Sequence, residues 1–257
     1  MTFEQFNEGL AYARKNFLEE SATHLWIDKK IIRESFDLSG KNVLDFGCGM
    51  GGMTLWYARH WDCTVYGIDI DDHHIRVAEA LREEFAMDNV TFFRKNVLEI
   101  SAQEQYDAIF LNDVIEHIPP SMLELIMEKL SLLLKKNGAI YVSYPPWQGP
   151  YASHVNDVLK LPWCQFLPDH VIIALLKKHN KDIVGELEGS LLDVYQGLNK
   201  ITHKKFSEII GKTDLAFSYR MSHTLFNKFN KLKNVSLSGF PFRFLVTKEI
   251  VMLKKKA

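Results

Sequence analysis

Val43-Leu44-Asp45-Phe46 is an apolar, strand-forming run broken by one acid, and it leads directly into Gly47-Cys48-Gly49-Met50-Gly51-Gly52. A short buried strand that enters a glycine-rich turn and leaves as a helix, here Met53 to His60, has few folds open to it. Glycines allow backbone angles and a closeness of approach that any Cβ blocks. This strand–turn–helix setting is the one a nucleotide-binding turn requires. The spacing is G-x-G-x-G, not G-x-G-x-x-G, and Asp45 stands two positions before the first glycine. A carboxylate there repels a phosphate and suits an ammonium group. Taken alone, the glycines also permit the blander reading of a tight turn with no ligand.

The chain beyond that turn alternates strand and helix. Thr64 to Ile70, Val90 to Arg94, Tyr106 to Leu111 and Ala139 to Tyr144 read as strands. A helix capped by Asp71 is expected from about Asp72 to Phe85. A second opens at Pro119-Pro120, carries Met122, Ile126, Leu130 and Leu133 on one face, and is expected to end at Asn137-Gly138. Alternation of this kind predicts an α/β fold: a Rossmann-like, mostly parallel seven-stranded sheet with helices on both faces and an antiparallel last strand. Residues 1–40 read as an N-terminal helical segment, with Phe6, Leu10, Ala13 and Phe17 on one face, and 41–145 as the core. Residues 146–199 leave the rhythm after Pro145-Pro146 and read as an inserted lid that binds the acceptor, with one helix at Asp169 to His179. Residues 200–257 complete the sheet, with a helix at Thr202 to Ile210 and strands at Leu215 to Met221 and Phe244 to Leu253.

Composition narrows the partners. With 31 basic and 32 acidic residues the net charge is -1, so no overall positive field favours a polyanion and nucleic acid is not an expected partner. The three cysteines are odd in number and widely spaced, which speaks for a reducing, cytoplasmic setting over a disulfide framework. No apolar run approaches the roughly 20 residues of a membrane span. The closing Lys254-Lys255-Lys256 reads as a solvated tail, with contact to an anionic membrane surface as the weaker alternative. Nothing in the sequence sets an oligomeric state.

Further polar groups fall at the ends of the other strands. Asp69, in Tyr66-Gly67-Ile68-Asp69-Ile70-Asp71, is placed to accept from both hydroxyls of a ribose. Arg94-Lys95-Asn96-Val97 can meet an adenine, and the loop Asn112-Asp113-Val114-Ile115-Glu116-His117 faces the same crevice. An ammonium-suited turn beside a ribose-suited acid favours S-adenosylmethionine as cofactor. In this order the stretches LDFGCGMGG, YGIDI, FFRKNV, YDAIFLNDVIEHIP and KKNGAIYVSYPP resemble the class I S-adenosylmethionine-dependent methyltransferases, over roughly residues 41–145. The resemblance implies cofactor contacts from Asp45, Phe46, Gly47, Gly49, Asp69, Ile70, Asn96, Val97 and Asn112. Asn96 departs from the acid the family often carries, but an amide can still pair with adenine.

A methyl group on a sulfonium is already activated, so the protein's task is alignment and, for a hydroxyl acceptor, removal of a proton. His154, just past the fifth strand, is the preferred base, and His117 is a weaker catalytic candidate. The stretch around His154 loosely resembles small-molecule methyltransferases linked to sugar and surface polymers, which implies a small-molecule acceptor. No metal is expected: a site at Asn112 and Asp113 would need further carboxylates that the sequence does not place, and His60 and Cys63 lack partners. His73 and His74 read as solvent-facing. Trp147, Tyr151, Trp163 and Phe166 either form the insertion's own core or line an acceptor pocket. Three alternatives stand beside a hydroxylated small molecule: a lipid-linked or quinone acceptor, a nucleic acid, and a non-catalytic binding protein. The loop after the fourth strand, Asn-Asp-Val-Ile, is unlike the N-P-P-Y type used on flipped bases, which disfavours the nucleic acid.

Overall fold

A computed structural model of the chain describes residues 2–21, 23–101, 105–155, 159–179, 191–228 and 241–256. Seven strands form one sheet: β1 (Asn42–Phe46), β2 (Thr64–Asp69), β3 (Val90–Arg94), β4 (Tyr106–Asn112), β5 (Leu134–Tyr144), β6 (Leu215–Thr224) and β7 (Val246–Lys255). Their spatial order is β3-β2-β1-β4-β5-β7-β6. Strands β1 to β5 run parallel, and β7 pairs antiparallel with both β5 and β6. The chain thus winds outward from β1 to β3, then crosses back to β4. That reversal opens a crevice at the carboxyl ends of β1 and β4, where α/β sheets bind ligands.

Two apolar layers cover the sheet. On one face α1 (Phe3–Leu18), α2 (Trp26–Ser35), α3 (Gly52–His60) and α4 (Asp72–Glu84) bury Phe17, Ile32, Leu55, Trp56 and Val77 against β1 to β3. On the other, α5 (Pro120–Leu133) and α8 (His203–Lys212) bury Leu123, Leu130, Phe206 and Ile210. Each such side chain contributes about 1.5–3 kcal/mol relative to exposure. Phe6, Leu10, Ala13 and Phe17 do share the face of α1 that meets the core, and the helix opens with a capping box between Thr2 and Gln5. The expected single helical stretch is divided into two. Lys29 of α2 is fully buried and donates to the carbonyls of Asn16 and Glu19, which closes the C-terminal end of α1. Burial pushes the Lys29 ammonium down to about 8, against the pull of Glu20.

Two boundaries differ from expectation for tertiary reasons. The fifth strand begins at Leu134, so Asn137-Gly138 lies inside it and does not end α5. Leu134 already pairs with Tyr106, and the register shifts before Ala108. Gly138 sits where a Cβ would come within 2.8 Å of the Asp107 carbonyl, so its role is close approach at a bulge. The lysines at the end of the chain are not a loose tail: Lys254 and Lys255 belong to β7, and the Lys256 amide donates 2.7 Å to the Asp214 carbonyl.

Residues 145–199 include α6 (Asp169–His179) and α7 (Leu191–Gly197); the stretches 156–158 and 180–190 of the expected lid lie outside the described residues. Val155, Cys164, Ile172, Leu176, Leu191 and Tyr195 form a small separate core. The aromatics of this segment divide between the two readings. Trp147 packs on the small core, Tyr151 reaches the crevice, Trp163 donates its Nε1–H 2.8 Å to the Phe244 carbonyl, and Phe166 stays exposed.

Candidate active site

The crevice at the sheet's switch point is a cleft of about 800 Å³, within the size range that holds a small molecule or cofactor. All nine residues expected at the cofactor line it: Asp45, Phe46, Gly47, Gly49, Asp69, Ile70, Asn96, Val97 and Asn112. His117 and His154 line it as well.

The glycine turn is built from left-handed backbone angles, which glycine adopts without strain. Gly47, Gly49 and Gly51 have φ of 69°, 50° and 80°. At Gly51 a Cβ would lie 2.7 Å from Phe92 Cζ and 2.8 Å from Ala78 Cβ, so this glycine lets the turn sit on β3 and α4. At Gly49 nothing lies within 4 Å of a Cβ position, which leaves the turn open toward the cleft. Beneath the turn Asp45 is 2% exposed and accepts 2.6 Å from the Thr54 hydroxyl. Burial pushes its carboxyl up to about 7; the Thr54 hydrogen bond opposes that shift and the Asp69 charge adds to it. A cation placed over the turn would relieve this carboxylate.

Asp69 does more than its strand-end position implied. Its Oδ2 accepts 2.9 Å from the Gly49 amide and its Oδ1 accepts 2.9 Å from the Asp71 amide, so it ties the turn to the end of β2. Burial works to raise its carboxyl, but the hydrogen bond and charge of His74 and the two amides outweigh that and hold it below the ordinary range. His74 is buried beside it, 3.7 Å from Oδ1, a correction to the expected solvent-facing pair. The first turn of α4 runs close to β2, and the carboxylate there draws the imidazole inward. Asp71 caps α4 as expected, accepting from the amides of His73 and His74. Asn96 accepts 3.0 Å from the Leu98 amide and caps a short 3₁₀ turn. Asn112 donates 2.6 Å to the Tyr57 hydroxyl, while its Oδ1 is buried with no hydrogen-bond partner.

Asp113 apart, the other half of the cleft draws on residues the sequence did not single out. Lys248 of β7 donates 2.7 Å to Asp113 and 2.7 Å to Asp28 of α2, and the Tyr141 hydroxyl donates 2.8 Å to Asp28. Burial works to lower the Lys248 ammonium, but the two aspartates outweigh it and raise it. Burial likewise works to raise Asp113, and the charges of Lys248 and His24 hold it down instead. One visible signal was the Lys248-Glu249 pair directly before the apolar run Ile250 to Leu253, where a charge demands a buried partner. Tyr12, Asn16, His24 and Leu25 of the N-terminal segment form a further wall.

His154 adopts φ of 57°, and its side chain is 16% exposed. Its Nε2 lies 3.7 Å from Oε1 of Glu116, a residue only 3% exposed. The His117 ring meets the His154 ring edge-on, with centroids 5.0 Å apart. The loop that carries Glu116 is pinned from the later segment: Asn199 donates through Nδ2 to the carbonyls of Ile115 and Ile118 at 2.6 and 2.8 Å, and its amide donates 2.9 Å to the Glu116 carbonyl.

Known proteins resemble the chain in both sequence and fold. A family described as a methyltransferase domain matches residues 37–187. The (S)-tetrahydroprotoberberine N-methyltransferase of Eschscholzia californica is 28% identical over 49% of this chain and 34% of its own length. The ubiquinone biosynthesis O-methyltransferase of Acinetobacter baylyi is 30% identical over 46% of this chain and 48% of its own. The match thus spans about a third to a half of the length of these curated relatives. Among solved structures, an S-adenosylmethionine-dependent methyltransferase from Clostridium acetobutylicum superposes with a TM-score of 0.62 at 11% identity, over 98% of this chain and 99% of that one. The magnesium protoporphyrin IX methyltransferase of Synechocystis, with bound S-adenosylhomocysteine, gives 0.56 at 16% identity over 99% of this chain and 97% of that one. At such identities the structural likeness speaks for the fold. More than half of the chain lies within the matched region, and its motifs fall where the sheet opens: the chain belongs to the methyltransferase-domain family, in the Rossmann-like S-adenosylmethionine-dependent class.

Proposed function

We propose that the chain transfers a methyl group from S-adenosylmethionine to a small or medium acceptor, most plausibly a hydroxyl oxygen of a sugar or another metabolite. One observation carries the reading: nine residues from four separate strand ends line one cleft, with an acid buried under its glycine turn. The fit to the cofactor rests on the open space over Gly49, the desolvated Asp45 and the orphaned Oδ1 of Asn112. In this reading Asp45 faces the donor's ammonium, Asp69 its ribose, and Asn96 and Val97 its adenine. When bound, the donor supplies an activated methyl group on a sulfonium.

The protein's own residues then align the acceptor, exclude water and receive a proton. Proximity of this kind is worth about 7–11 kcal/mol when reacting atoms are held in line. His154 takes the acceptor's proton, with Glu116 buried behind it to favour the imidazolium that results. His117 is the weaker candidate for that task. Residues 146–199 act as the acceptor-binding lid over the 41–145 core, and Tyr151 supports this by reaching the cleft. The free, buried cysteines fit a cytoplasmic setting. No described helix is long and apolar enough to cross a membrane.

A second reading has its own support. Val114, Ile118, Met122 and Ile126 line one wall, which suits an apolar lipid-linked or quinone acceptor. Flotation with anionic liposomes separates the two: retention favours the apolar acceptor. The primary test is release of S-adenosylhomocysteine from pooled hydroxylated metabolites, together with calorimetric binding of that product. Turnover with a hydroxylated pool is expected, and failure to bind the product would sink the proposal.

A further inference from the structure

Glu116 is a buried carboxylate with the His154 imidazole 3.7 Å away. It is 3% exposed, and neither carboxylate oxygen has a hydrogen-bond partner. Removing such a group from water costs several kcal/mol unless a positive or donating group completes it. What stands nearest is imidazole: one nitrogen each of His117 and His154 and one oxygen of Glu116 all lie within 4.8 Å of one another.

The backbone contributes to holding the three groups in place. Asn199 clamps the turn that carries Glu116 and His117. His154 is held in a left-handed conformation, which costs a non-glycine residue about 1–2 kcal/mol and persists where the surroundings impose it. Two imidazoles and one carboxylate are the donor set of first-row divalent metals, in contrast to the all-oxygen shells of calcium and magnesium. With metal–ligand bonds of about 2.0–2.2 Å, tetrahedral ligand atoms sit roughly 3.3 Å apart. Side-chain rotation of the order of an ångström would therefore close the cluster. Each imidazole has a second nitrogen that remains available for an outer hydrogen bond when the first binds a metal.

We propose that Glu116, His117 and His154 bind one first-row divalent metal ion at the acceptor end of the cleft, with the remaining position open to an acceptor oxygen. The role of the ion rests on the methyl-transfer reading; the existence of the site does not. With the ion bound, His154 is a ligand and not the base. The acceptor hydroxyl then ionises on the metal, and its proton leaves to solvent.

The test uses the full chain, stripped with a chelator and titrated with zinc chloride by calorimetry and with cobalt chloride by visible absorption. One equivalent of zinc and a ligand-field band from cobalt are expected. Glu116→Gln and His154→Asn are each expected to weaken zinc at least about tenfold. Asparagine is chosen because it accepts the left-handed backbone at that position. His170→Ala, at an exposed site outside the cleft, is expected to bind zinc as the parent does. Circular dichroism melts confirm that the variants fold. Zinc that binds Glu116→Gln and His154→Asn as tightly as the parent would overturn the site, as would a parent that takes up none. Binding of S-adenosylhomocysteine by the same stripped protein is read separately: its absence sinks the methyl-transfer reading and leaves the metal result standing.

Discussion

Two glycines of the same turn serve different ends, and substitution separates them. Gly49→Ala adds a Cβ into open space at φ of 50°. It should cost about 1–2 kcal/mol of strain and weaken donor binding, because Gly49 lines the cleft proposed for the donor. Gly51→Ala adds the same strain together with overlap on Phe92 and Ala78, so it should lose about 1–3 kcal/mol more. Urea melts of both variants give the order, and equal losses would contradict it. Asp45 supplies a pH dependence. Its carboxyl lies in the ordinary range when unfolded and at about 7 when folded, so the folded chain holds the proton between those values. Stability from this group is therefore full below the ordinary carboxylate range, declines as pH rises toward 7, and is gone above it. A bound ammonium favours the ionised form. Affinity for S-adenosylhomocysteine should thus fall about tenfold per unit below pH 7 and level off above it. The ligand's own amine begins to lose its proton near pH 8. Asp45→Asn should bind more weakly at pH 8 and lose the acid limb, which calorimetry from pH 5.5 to 8 would reveal.

Strands and helices are coupled here by a charge that none of them could bury alone. Lys248 of β7 is held between Asp28 of α2 and Asp113 after β4, so the last antiparallel strand, the N-terminal helices and the loop after β4 meet at one ammonium. Lys248→Met leaves two carboxylates buried without their partner. A loss of about 3–5 kcal/mol is expected, because breaking a buried pair strands its charges. A chemical melt that shows less than about 1 kcal/mol would mean that water reaches the cluster. The loop after β4 is held the same way: Asn199 answers three of its backbone groups, and that contact crosses from the segment preceding α8.

For the whole molecule, the cleft lies between the N-terminal helices, the sheet's switch point and the later segment, so a ligand there touches parts far apart in the chain. Anything that binds only the folded state stabilises it by mass action. S-adenosylhomocysteine at a hundred times its Kd should add about 2.7 kcal/mol. For a chain of this size that is a rise of roughly 5–10 °C in Tm, measurable by scanning calorimetry. No shift would count against the cleft as the donor site.

The half of the cleft proposed for the donor was legible in the sequence because each piece of it is local. Asp45 and its glycines, Asp69, Asn96 and Asn112 each end a strand whose apolar pattern is readable, and a parallel sheet gathers such ends along one edge. The acceptor half depended on contacts with no local signature. Asp28, Asp113 and Lys248 meet only because β7 inserts antiparallel between β5 and β6, and Glu116 meets His154 only because the chain turns back after β5. The start of β5 was misread for a related reason, since the pairing of Leu134 with Tyr106 overrides an Asn-Gly signal that normally ends a helix. Local sequence fixes dihedral preference and the spacing of apolar faces. Which buried charges become partners is decided by burial itself, when desolvation makes an unpaired carboxylate or ammonium too costly to leave alone.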